Sequence, residues 1–152
     1  MRALAFTALL ATSGAGLVQD TRDWRFVMDV PQTRAVLVFD ASATTSPTPD
    51  TRELVVYAYQ PVGPGTKGQD YNIVRMTYRY DCKAVTVQRV RAAFFYDERE
   101  IEADNEHTPP ASPDPSKMHG GLLQPACTGD YSRYPKIAAA NPAEERERRF
   151  GR

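Results

Sequence analysis

Residues 72–82 read Asn-Ile-Val-Arg-Met-Thr-Tyr-Arg-Tyr-Asp-Cys, and this stretch has the clearest alternation in the chain. One parity holds the apolar and aromatic positions Val74, Met76, Tyr78 and Tyr80, and the other holds Arg75, Thr77, Arg79 and Asp81. Successive side chains of a strand point to opposite faces of its sheet. The stretch therefore predicts a strand with one packed face and one solvated face.

Shorter apolar and β-branched runs predict further strands on both sides of this one. They cover residues 24–28, 35–39, 54–59, 84–96 and 100–102, with a loop at 41–50 that is rich in Ser, Thr and Pro. In the first strand, Trp24, Phe26 and Met28 are predicted to share a face. In the run 84–96 the apolar parity changes after Val87, which predicts a β-bulge near Gln88 and Arg89.

The end of the chain has a helical composition over residues 137–149. Glu145 and Arg149 are four residues apart, a spacing that supports an exposed helix. Such a tail has little to bury, so we expect a frayed or partner-ordered helix and expect the domain to fold without residues 143–152. The predicted fold class is α+β, with a sheet of about five to six strands and a C-terminal helix.

Composition places the chain among ordinary globular proteins. It has 152 residues, of which 41% are hydrophobic and 25% are charged, with 19 basic and 19 acidic residues. This balance gives no basic footprint for nucleic acid and no broad attraction to anionic lipid. We predict four segments: a signal peptide at 1–15, a lead-in at 16–23, a β-rich domain at 24–131 and a polar tail with a short helix at 132–152.

The first residues resemble a secretory signal. Met1 and Arg2 are followed by an apolar run over residues 3–11, and Ser13 and Ala15 have the small-residue spacing that signal peptidase reads. An apolar N-terminal strand or helix packed on the domain is the alternative. The run is shorter than the roughly 20 residues that span a bilayer, and no cysteine stands near it for lipid attachment. We therefore predict an exported protein, periplasmic or extracellular, with neither a membrane span nor a lipid anchor.

Cys82 and Cys127 are the two cysteines of the chain. An even count in an exported protein favours a disulfide. The alternative is a redox or metal pair, but neither cysteine lies in a C-x-x-C motif. Two isolated thiols and two distant histidines also make a poor zinc site.

The sequence contains no catalytic motif that we recognise, and we predict neither enzymatic activity nor a cofactor. The histidines are His107, in a proline-rich loop, and His119, before Gly120 and Gly121. His119 could line a pocket, but an exposed loop histidine is the simpler interpretation. A general base also needs a positioned partner.

Acidic residues alternate at Glu98, Glu100, Glu102 and Asp104. If this stretch is a strand, the four carboxylates would line one face and could bind a divalent cation. A solvated edge strand, whose charges prevent pairing with other chains, is the alternative that we favour. We predict no metal site.

Basic and aromatic side chains concentrate on the predicted sheet. A candidate binding face contains Arg75, Arg79, Arg89, Arg91, Tyr57 and Tyr59. A basic stripe can receive an anionic partner, and exposed tyrosines are typical of interface cores. Alternatively, the arginines pair with acids on neighbouring strands, and the tyrosines are ordinary sheet residues.

The order of these features resembles the surface-adhesin protein E family of bacterial envelope proteins, over roughly residues 24–127. The closest correspondences are Tyr-Asp-Cys-Lys at 80–83, Val-Gln-Arg-Val at 87–90, and Cys127 after Leu-Leu-Gln-Pro at 122–125. The resemblance implies an antiparallel sheet, a helix near the C-terminus, a Cys82–Cys127 bridge, a tendency to dimerise and, in the best-known member, adhesion to host matrix proteins. That member is lipid-anchored, whereas this chain has no cysteine at its signal junction.

These observations predict a non-enzymatic, exported envelope protein that acts as an adhesin-like, protein-binding module. The alternative is a structural component of an envelope assembly or of a homodimer. The expected partner is a protein or a second copy of the chain.

Overall fold

The structure is a computed structural model that describes residues 22–65 and 68–151. The predicted signal at 1–15 and most of the lead-in therefore lie outside the described residues. Across the described residues, seven strands form one antiparallel sheet in the order β1-β2-β4-β5-β6-β7, and β3 pairs with β4. The antiparallel sheet with a C-terminal helix is confirmed.

The strands are β1 (Trp24–Val30), β2 (Ala35–Asp40), β3 (Thr45–Thr48), β4 (Thr51–Pro64), β5 (Asp70–Asp81), β6 (Thr86–Tyr96) and β7 (Arg99–Asp104). The helices are α1 (Met118–Gly121), α2 (Leu123–Thr128) and α3 (Pro142–Phe150). None of the helices in the described part of the chain is long and apolar enough to cross a membrane.

The main core lies on the face of the sheet that carries α1 and α2, which we call the α2 face. Residues from β2, β4, β5 and β6 meet Leu122, which joins α1 to α2, and Ala126 of α2. The strand residues of this core are Phe39, Leu54, Val56, Tyr78, Tyr80 and Val87. The predicted alternation of β5 is confirmed, because Tyr78 and Tyr80 are buried in this core. Their neighbours Arg75 and Arg79 point to the opposite face.

The opposite face, which we call the α3 face, has a second core. Trp24, Val36 and Val38 are buried there, with Phe26, Tyr57, Tyr59, Ile137 and Phe150 packed around them. Helix α3 lies over β2 and β4. The sheet is thus covered by short helices on one face and by a single helix on part of the other.

The expectation that the tail has little to bury is wrong. Pro142 and Glu145 are buried, and the Arg149 guanidinium lies 3.8 Å from the centroid of the Phe26 ring. The sequence indicates this packing only weakly, because charged residues dominate in α3, which reads Pro-Ala-Glu-Glu-Arg-Glu-Arg-Arg-Phe. A charged helix docks here through ion pairs and arginine–aromatic contacts, which hydrophobic periodicity does not detect.

Two strand predictions also need correction. The sheet has seven strands rather than five to six, because the predicted loop 41–50 contains β3, whose four residues are all exposed. An exposed edge strand gives no apolar alternation to read. Met28 does not share a face with Trp24, because the register of β1 shifts between Phe26 and Met28. Phe26 pairs with Val38, whereas Met28 pairs with Leu37.

The Cys82–Cys127 disulfide is confirmed, with Cα atoms 5.6 Å apart. It joins the end of β5 to α2. Because α2 covers the main core, the bridge fixes the helix to the strand on which it packs.

Two adjacent glycines in α1 are expected to respond oppositely to alanine. A Cβ added at Gly120 would lie 2.0 Å from the backbone oxygen of Asp114, whereas at Gly121 the nearest atoms are 3.8 Å away. We expect Gly120→Ala to lower the free energy of unfolding by about 3 kcal/mol, because backbone must move. Gly121→Ala should be neutral or stabilise by up to about 1 kcal/mol, since alanine favours a helix. Urea unfolding distinguishes the two, and equal effects would contradict the close approach at Gly120.

Candidate functional site

Helix α3 covers only part of its face, and the uncovered part forms a concave surface that we call the open cleft. Its floor is built from β4, β5 and β6, where Tyr57 pairs with Arg75, Tyr59 with Ile73, and Ile73 with Phe95. Two adjoining concavities of about 690 and 230 Å³ share residues of this floor. The N-terminal end of α3 and the β6–β7 turn form the walls of the cleft. The residues of the walls and rim are Arg22, Asn72, Asp97, Glu98, Ala140, Asn141, Pro142 and Ala143.

Aromatic side chains make the floor continuous with the core beneath α3. The Trp24 and Tyr57 rings meet edge to face at 5.2 Å, and the Tyr57 and Tyr59 centroids are 6.3 Å apart. Arg22 lies over the Trp24 ring at 4.7 Å. Tyr57 and Tyr59 are half-buried, so their positions are set by the core while part of each side chain stays accessible.

The strand arginines of this face differ in how they are paired. Arg79 binds Glu53 through Nε and Nη2, at 2.8 and 2.6 Å. Arg91 binds Glu100 at 2.6 Å and Asn105 at 3.2 Å. Pairing with acids on neighbouring strands, one of the two alternatives for these arginines, therefore accounts for Arg79 and Arg91.

Arg75 is held more loosely. Its Nη2 lies 3.8 Å from Glu100, and its guanidinium lies 5.1 Å from the centroid of the Phe95 ring. About a third of the side chain (32%) is exposed, on the edge of the open cleft. Glu100 lies between Arg75 and Arg91 and is much closer to Arg91.

Arg89 does not belong to this face. Thr77 pairs with Arg91 and Tyr78 pairs with Arg89, so Val90 between them is the extra residue of a β-bulge. This bulge lies one residue beyond the position near Gln88 and Arg89 that the sequence predicts. It turns Arg89 to the α2 face, where Nη2 binds Asp104 at 2.8 Å.

The four alternating carboxylates do not line one face either. Phe94 pairs with Glu102 and Phe95 with Glu100, so Ile101 is an extra residue in β7. Glu100 consequently lies on the α3 face and Asp104 on the α2 face, each bound to an arginine. No group of three or more potential metal ligands occurs in residues 22–65 and 68–151.

At the rim, Asp97 and Glu98 differ in their contacts. Asp97 accepts a hydrogen bond from Asn72 Nδ2 at 2.9 Å, and its backbone N–H donates to Asn72 Oδ1 at 2.8 Å. Its φ of 53° is in the left-handed region, which aspartate tolerates in tight turns. Glu98 is exposed beside it. The rim therefore adds negative charge opposite Arg75.

The histidines do not contribute to the open cleft. His119 belongs to α1 on the other face, where its half-buried ring stacks on Tyr78 with centroids 5.5 Å apart. Burial lowers the pKa of His119, as does Lys117, while Asp114 acts in the opposite direction. Its stacking against the core strand indicates a packing role rather than the exposed loop position that we expected.

One buried polar group of the α2 face stands out. Tyr80 is fully buried, and its hydroxyl has no hydrogen-bond partner among the described residues. Burial raises the pKa of this hydroxyl above its usual range, as do the neighbouring tyrosines. The ring therefore acts as a core aromatic that stays neutral at any physiological pH.

The sequence identified much of the floor but not its boundary. Tyr57, Tyr59 and Arg75 of the candidate binding face come together, and Arg79 and Arg91 lie on the same face. Phe95 was missed, although its parity with Arg91 within the strand after the bulge is a signal that could have found it. The α3 wall was missed because nothing in the sequence indicated where the tail would dock.

Compared with known proteins, the chain matches no family model, no curated protein and no solved structure. The resemblance to the surface-adhesin protein E family thus stays a prediction.

Proposed function

We propose that the chain is a non-enzymatic, exported envelope protein of the adhesin type that binds a protein partner through the open cleft. The observation that carries this proposal is the partial cover that α3 gives to its face. Aromatic side chains and one loosely paired arginine are left half-buried around a concave surface. Aromatic residues and arginine are the types enriched at protein interfaces.

The edges of the sheet favour binding by a face over binding by strand addition. The chain after α2 covers the start of β1, where Phe26 N–H donates to Pro135 O at 2.8 Å and Ile137 N–H to Trp24 O at 3.2 Å. β3 contains Pro47, and β7 is a short, charged and bulged edge strand. Proline, charge and bulges are devices that prevent edge pairing.

The disulfide supports export. Structural disulfides persist in oxidising compartments such as the periplasm and the cell exterior. A bridge between Cys82 and Cys127 is therefore compatible with the signal peptide that residues 1–15 predict. The family resemblance suggests host matrix proteins as the first partners to test.

A binding assay with matched variants tests this proposal. Purified protein is applied to immobilised host matrix proteins, and Tyr59→Ala and Phe95→Ala are compared with Val62→Ala, which removes an exposed apolar side chain outside the cleft. We expect each cleft variant to weaken binding by at least about tenfold, since central aromatic residues dominate interface energies. Val62→Ala should bind like the wild type. Binding that both cleft variants leave unchanged would exclude the cleft as the interface.

Self-association through the same surface is the alternative, and sedimentation separates it from binding to another protein. The chain would then be a concentration-dependent dimer that Tyr59→Ala converts to a monomer. A monomer at all concentrations, together with a bound matrix protein, supports the adhesin-like module.

A further inference from the structure

We infer that Arg75 anchors a single carboxylate of the protein partner, beside an apolar or aromatic side chain of the same partner segment. This inference rests on the proposed function, because it names the chemistry of what the open cleft receives. Its basis is the difference between Arg75 and the other strand arginines of the α3 face.

Arg75 keeps its hydrogen-bond donors available. A guanidinium carries five N–H donors. Among the described residues, its one polar contact is with Glu100 at 3.8 Å, which is too long for a hydrogen bond. Arg79 and Arg91, by contrast, each bind a glutamate at 2.6 Å. Arg75 is therefore the strand arginine of this face that can accept a new bidentate partner without breaking a short ion pair.

The surroundings of Arg75 position the guanidinium before any ligand arrives. The guanidinium carbon of Arg75 lies over the Phe95 ring, 5.1 Å from its centroid, and this contact restricts the side chain, so less side-chain freedom is lost on binding. Tyr57 lies directly across from Arg75 in the β4–β5 ladder. Directly opposed side chains have Cβ atoms about 5 Å apart, so the Tyr57 side chain adjoins that of Arg75.

The rim and floor limit the charge and shape of the ligand. Asp97 and Glu98 face the same cleft and disfavour a dianion or an acidic run. Tyr59 and Ile73 provide an apolar floor next to Arg75. A lone carboxylate flanked by an apolar or aromatic side chain satisfies both conditions, whereas a phosphate carries more charge than the rim favours.

A small pair of probes tests this chemistry on the whole protein. N-acetyl-phenylalanine carries one carboxylate beside an aromatic ring, and N-acetyl-phenylalaninamide is its neutral counterpart. In titrations followed by ¹⁵N–¹H NMR, we expect the acid to shift the Arg75 side-chain Nε–H signal and the backbone amides of residues 57–59 and 73–75. The amide should shift them far less. Equal shifts from both compounds would overturn the inference, as would acid-induced shifts confined to other parts of the chain.

Three charge variants make the assignment specific. Arg75→Gln should weaken binding of the acid by at least about tenfold, the loss expected for a charge-assisted hydrogen bond. Arg79→Gln removes the same charge from the same face and should leave binding unchanged. Glu98→Gln should tighten it by about twofold, because an exposed like charge is removed. Equal weakening by Arg75→Gln and Arg79→Gln would indicate general attraction and contradict the anchor.

The inference and the proposed function can fail separately. If a matrix protein binds, and binding depends on Tyr59 but not on Arg75, the cleft is the interface and the carboxylate anchor is wrong. If the acid binds at Arg75 while no protein partner and no self-association can be found, Arg75 is a carboxylate site, but the protein-binding role of the cleft is wrong. As a control, the thermal unfolding of Arg75→Gln should be close to that of the wild type. A loss of binding in this variant is then not caused by a loss of folding.

Discussion

Replacing both Cys82 and Cys127 with alanine is expected to lower the free energy of unfolding by up to about 4 kcal/mol. The bridge spans 45 residues, and in the chain-entropy model closing a loop of that length removes about this much freedom from the unfolded chain. We also expect less order in α2 in the folded state, because the bridge fixes that helix to the end of β5. Urea unfolding of the oxidised protein and of the double variant measures the difference.

Reduction provides the control for this experiment. Wild-type protein treated with a reductant should approach the stability of the double variant, while the variant itself should not respond to reductant. An unchanged unfolding midpoint in the double variant would show that the bridge contributes nothing to stability.

The second large effect is expected at Glu145, a fully buried and ionised residue of α3. Its carboxylate accepts hydrogen bonds from Arg149 Nε at 2.7 Å, from Arg148 Nε at 3.1 Å and from the Ala139 N–H at 3.2 Å. Arg149 also binds Asp29 of β1 at 3.1 Å, so this cluster connects the helix to the sheet. We expect Glu145→Gln to cost about 2 kcal/mol at neutral pH, less than for a wholly buried ion pair because both arginines are partly exposed.

The pH dependence of stability provides an independent measurement. The Arg148 hydrogen bond is the main reason that the pKa of Glu145 falls from 4.5 to about 2. A carboxyl whose pKa is lower in the folded state stabilises the fold above its unfolded pKa, and this contribution is lost as the pH falls toward the folded pKa. The wild type should therefore lose stability more steeply than Glu145→Gln between about pH 4.5 and 2, and the two curves should converge.

Glu144→Gln is the matched control. Glu144 is the exposed neighbour of Glu145 in the first turn of α3 and bonds to the side chain of Asn141. Its replacement should cost well under 1 kcal/mol, as expected for an exposed polar contact. If Glu144→Gln and Glu145→Gln lower the free energy of unfolding equally, buried ion pairing does not explain how α3 is held on the sheet.

The parts of the fold that the sequence predicts are those with apolar alternation. β5 shows it most clearly, and β2 was found as a continuous apolar run because all of its residues are buried. β3 was missed because it buries nothing, and the docking of α3 because its contacts are mainly ionic. The alternation of a strand can be read from its own residues. The docking of a helix through charged side chains depends on partner residues that are distant in the sequence.

The candidate site was predictable to the same extent. The grouping of strand tyrosines and arginines on one binding face holds for Tyr57, Tyr59 and Arg75, since cross-strand neighbours share a face. It failed for Arg89, because moving a bulge by one residue changes the face on which a neighbouring side chain lies. The sequence located that bulge only approximately, and an error of one residue reverses the assignment.

The bulges at Val90 and Ile101 also affect the edge of the sheet. They allow Arg89 to bind Asp104 on one side of β7 while Arg91 binds Glu100 on the other. A strand that is held by ion pairs on one face of the sheet only can rotate about its long axis toward that face. Because one ion pair lies on each face of the sheet, we expect β7 to resist rotation in both directions, although no further strand among the described residues pairs with its outer edge.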